Sequence, residues 1–307
     1  MTTTTAAPFG RLMTAMITPM TPDGAVDYDG AATLAAYLVN DMRNTGLVVN
    51  GTTGEAPTTT DEEKARLVKV VRETVGDRAT VIAGVGTNIT AHSIELARQA
   101  EKAGAHGLLV VTPYYSRPAQ DALAAHFTAI ADATGLPNVI YDVPSRTGIE
   151  VATETLVKLA EHPRIVAVKD AKGDLRATSE VLARSDLAFY SGDDPMTLPL
   201  LAIGGVGIVS VTAHVVGDRI AEMIEAFLAG RNAEAARLHR SMLPVNVGLF
   251  RNQAAVMTKA ALDLLGLPGG GVRGPLLPAS AAERSKLTAD LIAGGVKLNN
   301  ESTGAGQ

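Results

Sequence analysis

Eight short apolar segments in the first 211 residues constrain the fold of this chain more than any other feature. Each is four to seven residues long, rich in β-branched side chains and without polar alternation, which predicts a strand covered on both faces. The segments are Leu12–Thr18, Gly46–Asn50, Thr80–Ala83, Gly107–Val111, Asn138–Val143, Ile165–Lys169, Leu187–Ser191 and Val206–Val211. They are separated by stretches of helical periodicity at 29–44, 61–75, 90–104, 117–134, 153–160, 174–184, 195–203 and 216–230.

Eight strand–helix units without a break in composition predict an α/β fold, a (β/α)8 TIM barrel, which typically needs about 250 residues. An open, doubly wound sheet is the alternative. That fold usually has a glycine-rich dinucleotide-binding turn after its first strand, whereas here the first strand ends in Met16-Ile-Thr-Pro19. We expect a catalytic barrel over 9–230, a C-terminal helical region over 231–296 and a disordered tail over 297–307.

Local signals refine this outline. Thr60, followed by Glu63, has capping-box spacing at the start of a helix, and Pro118 is expected in a first helical turn. In the C-terminal region, Gly266–Pro278 contains five glycines and three prolines and is predicted to be a loop. Two helices are expected before this loop, at Ala233–Leu243 and Ala254–Leu265, and a third is expected after it, at 279–295.

Composition excludes several classes of protein. The chain has no cysteine, so it has no disulfide framework, thiolate metal site or cysteine nucleophile. Its formal charge of −5 leaves no electrostatic footprint for nucleic acid. No apolar run approaches the ~20 residues of a membrane span, and the Thr-rich first eight residues, which we expect to be frayed, lack the pattern of a secretory signal. We therefore expect a cytoplasmic protein.

In a barrel of this kind the active site lies at the carboxyl ends of the strands. Lys169 ends the apolar run that begins at Ile165, and it is one of only nine lysines in the chain. A lysine desolvated at such a place becomes an amine nucleophile towards carbonyl groups. A lysine whose stem lies along the strand end and whose charge reaches solvent is the alternative interpretation.

Three further strand ends have unusual chemistry. Tyr141 could relay a proton, and Arg146, five residues later, suits a carboxylate ligand. Gly51-Thr-Thr-Gly-Glu55 offers hydroxyls and backbone N–H groups to a small anion, with a plain turn as the alternative. Tyr114 and Tyr115 follow the fourth strand and suit a rim or an oligomer contact.

No metal site is predicted. The six histidines show no ligand spacing, and Asp193-Asp194 is more typical of a hydrogen-bonding loop than of a metal pair. Together the strand ends indicate an imine-forming lyase or aldolase. A lysine would form a Schiff base with a keto acid, hydroxyls would bind its carboxylate, a tyrosine would move protons and an arginine would bind a second anionic group.

These motifs resemble the dihydrodipicolinate synthase family, within the N-acetylneuraminate lyase superfamily of class I aldolases. The matching segments occur in the family order over about residues 10–295 and are Gly51-Thr-Thr-Gly-Glu55, Val111-Thr-Pro-Tyr-Tyr115, Tyr141-Asp-Val-Pro-Ser-Arg-Thr-Gly148, Val168-Lys-Asp170, Ser191-Gly-Asp-Asp194 and Ser210-Val-Thr212.

The resemblance implies a barrel with a C-terminal helical region, assembled as a homotetramer of two tight dimers. It also implies condensation of pyruvate with L-aspartate-4-semialdehyde to 4-hydroxy-tetrahydrodipicolinate, in the diaminopimelate route to lysine, without a cofactor or metal. Lys169 would be the Schiff-base lysine. Tyr141, Thr53 and Tyr115 would relay protons, with Tyr115 reaching across the dimer interface. The residues implied to bind substrate are Thr52 and Thr53 for the pyruvate carboxylate, Arg146 for the semialdehyde, and Gly192 and Val209 through backbone groups.

Two departures from the family pattern bear on substrate and regulation. Ser145 replaces a glycine that commonly precedes the arginine, which makes the second substrate less well determined than pyruvate. Lysine-inhibited relatives have an acidic residue and a histidine where this chain has His92 and Lys64. These residues, with Ala56-Pro57, supply no anion for the ammonium of lysine, whereas Asn88 and Tyr114 match the inhibited pattern. The resemblance therefore implies weak or absent feedback by lysine.

Two alternative functions stay open. A sister pyruvate-dependent lyase acting on sialic acid or a keto-deoxy-sugar acid would use the same scaffold. The other alternative is a non-catalytic keto-acid sensor. The presence of Lys169, Tyr141 and Thr53 argues against it, because a sensor has no need of a proton relay.

Overall fold

The computed structural model describes residues 6–299, and residues 1–5 and 300–307 lie outside the described part. Within residues 6–299, eight parallel strands close into one barrel in chain order, with the last strand paired to the first. This confirms the (β/α)8 barrel. The strands are β1 (Leu12–Ala15), β2 (Gly46–Val49), β3 (Thr80–Gly84), β4 (Gly107–Val111), β5 (Asn138–Asp142), β6 (Ile165–Asp170), β7 (Ala188–Ser191) and β8 (Gly207–Ser210).

One group of helices belongs to the barrel, where at least one helix follows each strand, and a second group comes after the barrel. Those within the barrel are α1 (Tyr28–Asn40), α2 (Asp61–Val75), α3 (Thr90–Lys102), α4 (Gln120–Asp132), α5 (Pro144–Thr147), α6 (Thr153–Leu159), α7 (Leu175–Leu182), α8 (Thr197–Ala202) and α9 (Ala213–Leu228). Those after it are α10 (Asn232–Ser241), α11 (Leu243–Leu249), α12 (Ala254–Leu264) and α13 (Ala281–Ala293). Over residues 6–299, no helix combines the length and apolar character that a membrane span requires.

Several predicted boundaries are wrong by a few residues. β1 ends at Ala15 rather than Thr18, because the backbone N–H of Ile17 donates to Nε2 of His214 and not to a strand. Pro118 precedes α4 instead of lying in its first turn. The predicted helix over 216–230 begins at Ala213, and Val216 forms a kink inside it. The capping box of Thr60 and Glu63 is confirmed.

Two short helices were not predicted. α5 is a single turn, too short for a periodic pattern. α11 contains proline, asparagine and glycine, which hide its helical character in the sequence. Tertiary packing stabilises it, because Val245 and Leu249 are fully buried in the cluster that contains Leu287 and Leu291 of α13.

Strand residues alternate between the barrel interior and the layer under the helices. The interior contains Val139, Tyr141 and Ala167, whereas Val168 of β6 packs in the outer layer. Since Lys169 follows Ala167 by two residues, its side chain shares the interior. Phe9 packs in the same cluster ahead of β1, at the amino end of the barrel.

The chain termini are described only in part. Residues 1–5 of the segment expected to be frayed lie outside the described residues, whereas Gly10 bonds back to Ala7 in a turn. Of the predicted tail, 300–307 also lies outside them. Asn299 donates from its backbone to the carbonyl of Leu264 and from its side chain to that of Leu265, so the tail starts against the end of α12.

Candidate active site

Lys169 and Tyr141 face each other across neighbouring strands. They are register partners in the β5–β6 ladder, and both are almost fully buried. The Nζ atom of Lys169 lies 4.1 Å from the centre of the Tyr141 ring. Within residues 6–299, that Nζ forms no ion pair or hydrogen bond. An amine held against an aromatic ring without a carboxylate partner is available, when neutral, to attack a carbonyl carbon.

An aspartate follows each of these two residues and faces the opposite side of the sheet. Asp170 accepts hydrogen bonds from the backbone of Lys172 at 2.8 Å and from Oγ1 of Thr178 at 2.6 Å. It thereby anchors the carboxyl end of β6, which carries Lys169. The sequence analysis did not predict this role. Strand side chains alternate, so the residue after an inward-facing lysine faces outward, and this pattern could have indicated it.

Asp142 is the equivalent residue after Tyr141. It accepts a hydrogen bond from the backbone N–H of Val151 at 3.2 Å and lies 3.8 Å from Nζ of Lys172. Burial raises the pKa of Asp142 to about 7, and the neighbouring ammonium of Lys172 opposes that increase. The two aspartates therefore hold the ends of β5 and β6 from the outer side, which fixes the strand ends that carry Tyr141 and Lys169.

The Gly51–Glu55 segment forms a tight turn after β2. The N–H of Gly54 donates to the carbonyl of Gly51 at 3.0 Å, and the N–H of Glu55 donates to that of Thr52 at 3.1 Å. Oγ1 of Thr18 donates to the carbonyl of Gly54 at 2.7 Å, which ties the turn to the segment that follows β1. Thr53 is buried in the turn, whereas Thr52 is exposed.

A cavity of about 400 Å³ opens at the carboxyl ends of the strands. Its wall brings together Thr52, Tyr141 and Arg146, three of the residues predicted for the site. Arg146 lies on α5 with an exposed side chain, and its Nη1 donates to Oε1 of Gln253 at 3.1 Å. A hydroxyl, a phenol and a guanidinium therefore face one space, which suits a ligand with more than one anionic or carbonyl oxygen.

The other predicted residues lie partly on this wall and partly off it. Tyr114 lines the cavity, whereas the side chain of Tyr115 is 92% exposed on a left-handed backbone with φ of 72°. Gly192 directly follows β7, and its N–H donates to the carbonyl of Asp170 at 2.7 Å. Val209 is buried in the barrel interior on β8. Folding therefore separates the predicted set into cavity-wall residues and residues held behind or beside the wall.

Asp194 organises the end of β8. It accepts hydrogen bonds from the hydroxyl of Ser210, from Oγ1 of Thr212 at 2.6 Å and from the backbone of Val211 at 3.1 Å. Both of its oxygens are thus used within the protein. This arrangement corresponds to the hydrogen-bonding alternative weighed for Asp193-Asp194, and not to a metal pair.

The cavity lining also includes a charged cluster of Asp61, Lys64 and His92. Oδ2 of Asp61 lies 2.8 Å from Nε2 of His92, and its Oδ1 lies 4.0 Å from Nζ of Lys64. Burial lowers the pKa of Lys64, and the carboxylate of Asp61 opposes that shift. Sequence reasoning overlooked Asp61, so this part of the cavity does contain an anion, although two cationic or protonatable partners already surround it.

Comparison with known proteins places this geometry in a family. The profile of the dihydrodipicolinate synthetase family matches residues 8–293. The chain is 63% identical over 289 residues to the 4-hydroxy-tetrahydrodipicolinate synthase of Acidothermus cellulolyticus, and the match covers 94% of each protein.

Solved structures agree in fold. A lysine-bound dihydrodipicolinate synthase from Cyanidioschyzon merolae is 42% identical with a TM-score of 0.92, covering 94% of this chain and 99% of that one. A chloride-inhibited dihydrodipicolinate synthase from Acinetobacter baumannii, complexed with pyruvate, is 35% identical with a TM-score of 0.91, covering 94% of this chain and 100% of that one. Because the family profile and these relatives extend over nearly the whole chain, this protein belongs to the dihydrodipicolinate synthetase family.

Proposed function

We propose that this chain condenses pyruvate with L-aspartate-4-semialdehyde to 4-hydroxy-tetrahydrodipicolinate, through a Schiff base at Lys169. The observation that carries the proposal is the buried amine of Lys169, which has no ion-pair or hydrogen-bond partner within residues 6–299 and lies 4.1 Å from the centre of the Tyr141 ring. Such an amine suits imine formation with a keto acid. The pyruvate complex of the Acinetobacter baumannii relative supports pyruvate as the first substrate.

The chemistry divides into proton transfers that hydroxyl groups can perform. The amine adds to the carbonyl carbon of pyruvate, and loss of water leaves an imine whose carbon withdraws electrons. The methyl group then loses a proton, and the resulting enamine carbon forms a bond to the aldehyde carbon of the second substrate, whose oxygen takes up a proton. The amino group of that substrate finally adds to the restored imine carbon, which closes the ring and expels the amine of Lys169. In this proposal Tyr141 gives and takes these protons, with Thr53 and Tyr115 completing the relay.

The remaining residues take roles that follow from their chemistry. Thr52 and Thr53 bind the pyruvate carboxylate, Arg146 binds the carboxylate of the semialdehyde, and Gly192 and Val209 offer backbone groups to the substrates. As part of the proposal, the enzyme works in the cytoplasm without a cofactor. It assembles as a homotetramer, a dimer of dimers in which the exposed Tyr115 of each chain reaches the site of its neighbour.

The main competing function is a sister lyase that cleaves a sugar acid with the same Schiff-base chemistry. The name of the relative from Acidothermus cellulolyticus, which is 63% identical, supports the synthase instead. An arginine on the cavity wall also suits the carboxylate of the short semialdehyde.

A two-stage experiment tests the proposal. The protein is incubated with pyruvate and borohydride, and peptide mass spectrometry should locate one reduced pyruvate on Lys169. Untreated protein is then assayed with pyruvate and aspartate semialdehyde in a reductase-coupled assay, where turnover is expected. Absence of an adduct would refute the imine mechanism, and an adduct without semialdehyde turnover would point to the sister lyase.

We also predict that lysine inhibits this enzyme weakly or not at all. The ammonium of a lysine ligand would be repelled by the cationic Lys64 on the cavity wall. The carboxylate of Asp61, which could attract it, is already bonded to His92. The initial rate should therefore be unchanged when lysine is added at sub-millimolar concentration. Inhibition in that range would contradict the prediction.

The converse variant sharpens this test. Lys64→His combined with His92→Glu removes one cation and adds a carboxylate at the two positions that differ from lysine-inhibited relatives. We expect lysine inhibition to appear in this double variant at concentrations that leave the wild-type rate unchanged. A double variant as insensitive as the wild type would show that these two positions do not determine the response.

A further inference from the structure

A fully buried ion pair connects the C-terminal helices to the turn that carries Thr52 and Thr53. Nζ of Lys259, on α12, lies 2.6 Å from Oε1 of Glu55, and both side chains are at most 3% exposed. Glu55 ends the turn and has a left-handed backbone with φ of 56°. The two residues are 204 positions apart in the chain.

The second oxygen of Glu55 and the second hydrogen bond of Lys259 both involve the glycine-rich loop that follows α12. The backbone N–H of Arg273 donates to Oε2 of Glu55 at 2.9 Å, and Nζ of Lys259 also donates to the carbonyl of Gly271 at 2.6 Å. The carboxylate and the ammonium are thus satisfied jointly by each other and by one loop, as buried charges require.

The same loop is held against the barrel on its other side. The guanidinium of Arg273 donates to the carbonyls of Gly24 and Thr58 and forms a two-pronged ion pair with Glu63. Gly270 pairs with Met20 and has φ of 68°, and an added Cβ there would collide with the Met20 carbonyl. Gly270 therefore permits a close approach to Met20, and the loop that contains it also contacts Glu55 at the end of the Thr52–Thr53 turn.

α12 also touches the other carboxylate-binding element. Gln253, which precedes its first turn, accepts the hydrogen bond of Arg146 at 3.1 Å. One C-terminal helix thus contacts the turn proposed to bind pyruvate and the arginine proposed to bind the semialdehyde. None of these contacts is needed by the chemistry itself, which is assigned to barrel residues.

We propose that Lys259, Glu55 and Arg273 are positioning residues, which hold the Thr52–Thr53 turn in the geometry that binds the pyruvate carboxylate. The inference rests on the proposed function, because it takes that turn as the pyruvate-binding element. Within residues 6–299, the turn is joined to the rest of the protein by the hydrogen bond from Thr18 to the Gly54 carbonyl and by the buried carboxylate of Glu55, which bonds to both Lys259 and Arg273. Displacing it weakens pyruvate binding without removing Lys169.

The decisive variant removes both buried charges at nearly constant volume. Glu55→Gln with Lys259→Met leaves no unpaired charge inside the protein, and such paired replacements often leave stability unchanged. Either single substitution leaves one charge buried and alone, and lowers the melting temperature. The double variant is therefore expected to melt close to the wild type.

The measurement is the pyruvate concentration that gives half-maximal borohydride trapping at Lys169. For the double variant we expect this concentration to rise about tenfold, with the maximal adduct unchanged, because small misplacements of a binding group are costly. A purely structural role would instead lower the melting temperature or the maximal adduct and leave the half-saturating concentration alone. Arg273→Gln, which leaves no buried charge unpaired, should raise it about threefold by loosening the same loop.

A surface ion pair on the same helix provides the matched control. Asp263→Asn with Arg284→Gln removes the exposed contact between α12 and α13 and should leave the half-saturating concentration unchanged. Wild-type half-saturation in Arg273→Gln and in the folded double variant would overturn the inference. Should the double variant not fold, Arg273→Gln alone decides, and wild-type half-saturation there overturns it. Absence of trapping in the wild type would refute the proposed function instead.

Discussion

Replacing Lys169 with alanine is expected to abolish the borohydride adduct with pyruvate and to lower kcat by at least about 10⁴-fold, since the covalent route is lost with its nucleophile. Loss of fold should not contribute. Lys169 is 5% exposed, and within residues 6–299 its Nζ atom has no ion-pair or hydrogen-bond partner. Removing the side chain therefore breaks no polar contact among these residues, and the expected stability cost is that of the small cavity that remains.

Lys158→Ala is the matched control, because that lysine is exposed on α6. It should keep the adduct and the wild-type kcat. Peptide mass spectrometry after borohydride treatment, thermal melting and the coupled assay together decide the result. An adduct retained in Lys169→Ala would mean that another amine forms the imine, and Schiff-base chemistry at Lys169 would then have to be abandoned.

Tyr141→Phe is expected to lower kcat by about 10²- to 10³-fold, the usual loss when a positioned proton donor or acceptor is removed. The substitution keeps the aromatic ring that lies 4.1 Å from the Lys169 amine and deletes only the hydroxyl. Pyruvate should therefore still be bound with nearly the wild-type KM, and the effect should lie in kcat. The coupled assay with each substrate varied in turn separates the two constants.

Tyr190→Phe offers a control on the neighbouring strand. Tyr190 pairs with Lys169 on the other side, but its hydroxyl accepts a hydrogen bond from the backbone of Phe9, ahead of β1. Losing that acceptor should cost about 1–3 kcal/mol of stability by leaving a buried N–H unpaired, without changing kcat. If Tyr141→Phe kept kcat within about threefold of the wild type, its hydroxyl would not be part of the proton relay.

The barrel could be predicted because its signal is local. Eight runs of apolar residues had to be covered on both faces, and a closed parallel barrel with outer helices provides that cover. Boundary errors arose where tertiary contacts replaced strand or helix bonds, as at Ile17, which bonds to His214. α11 escaped prediction because packing, and not its own composition, stabilises a helix containing proline and glycine.

The candidate site also contains residues that the sequence predicted and residues that only the structure revealed. Lys169, Tyr141, Thr52 and Arg146 were identified as candidates from strand ends, whereas the inward orientation of Lys169 came from the structure. Asp61 was missed, because its closeness to His92 depends on how α2 packs beside α3. Asp142 and Asp170 were missed because their partners lie on neighbouring loops and helices.

By itself, the sequence determined the fold class, excluded a cysteine nucleophile and identified Lys169 as the candidate amine. Each of these depends on composition or on patterns within a few residues. Only the tertiary structure decided which predicted residues share the cavity wall and that Tyr115 is exposed and not part of it. The ion pair between Lys259 and Glu55 was likewise evident only from the tertiary structure. The physical reason is that such partners, 204 positions apart, are chosen by long-range packing around a buried charge, which no local pattern encodes.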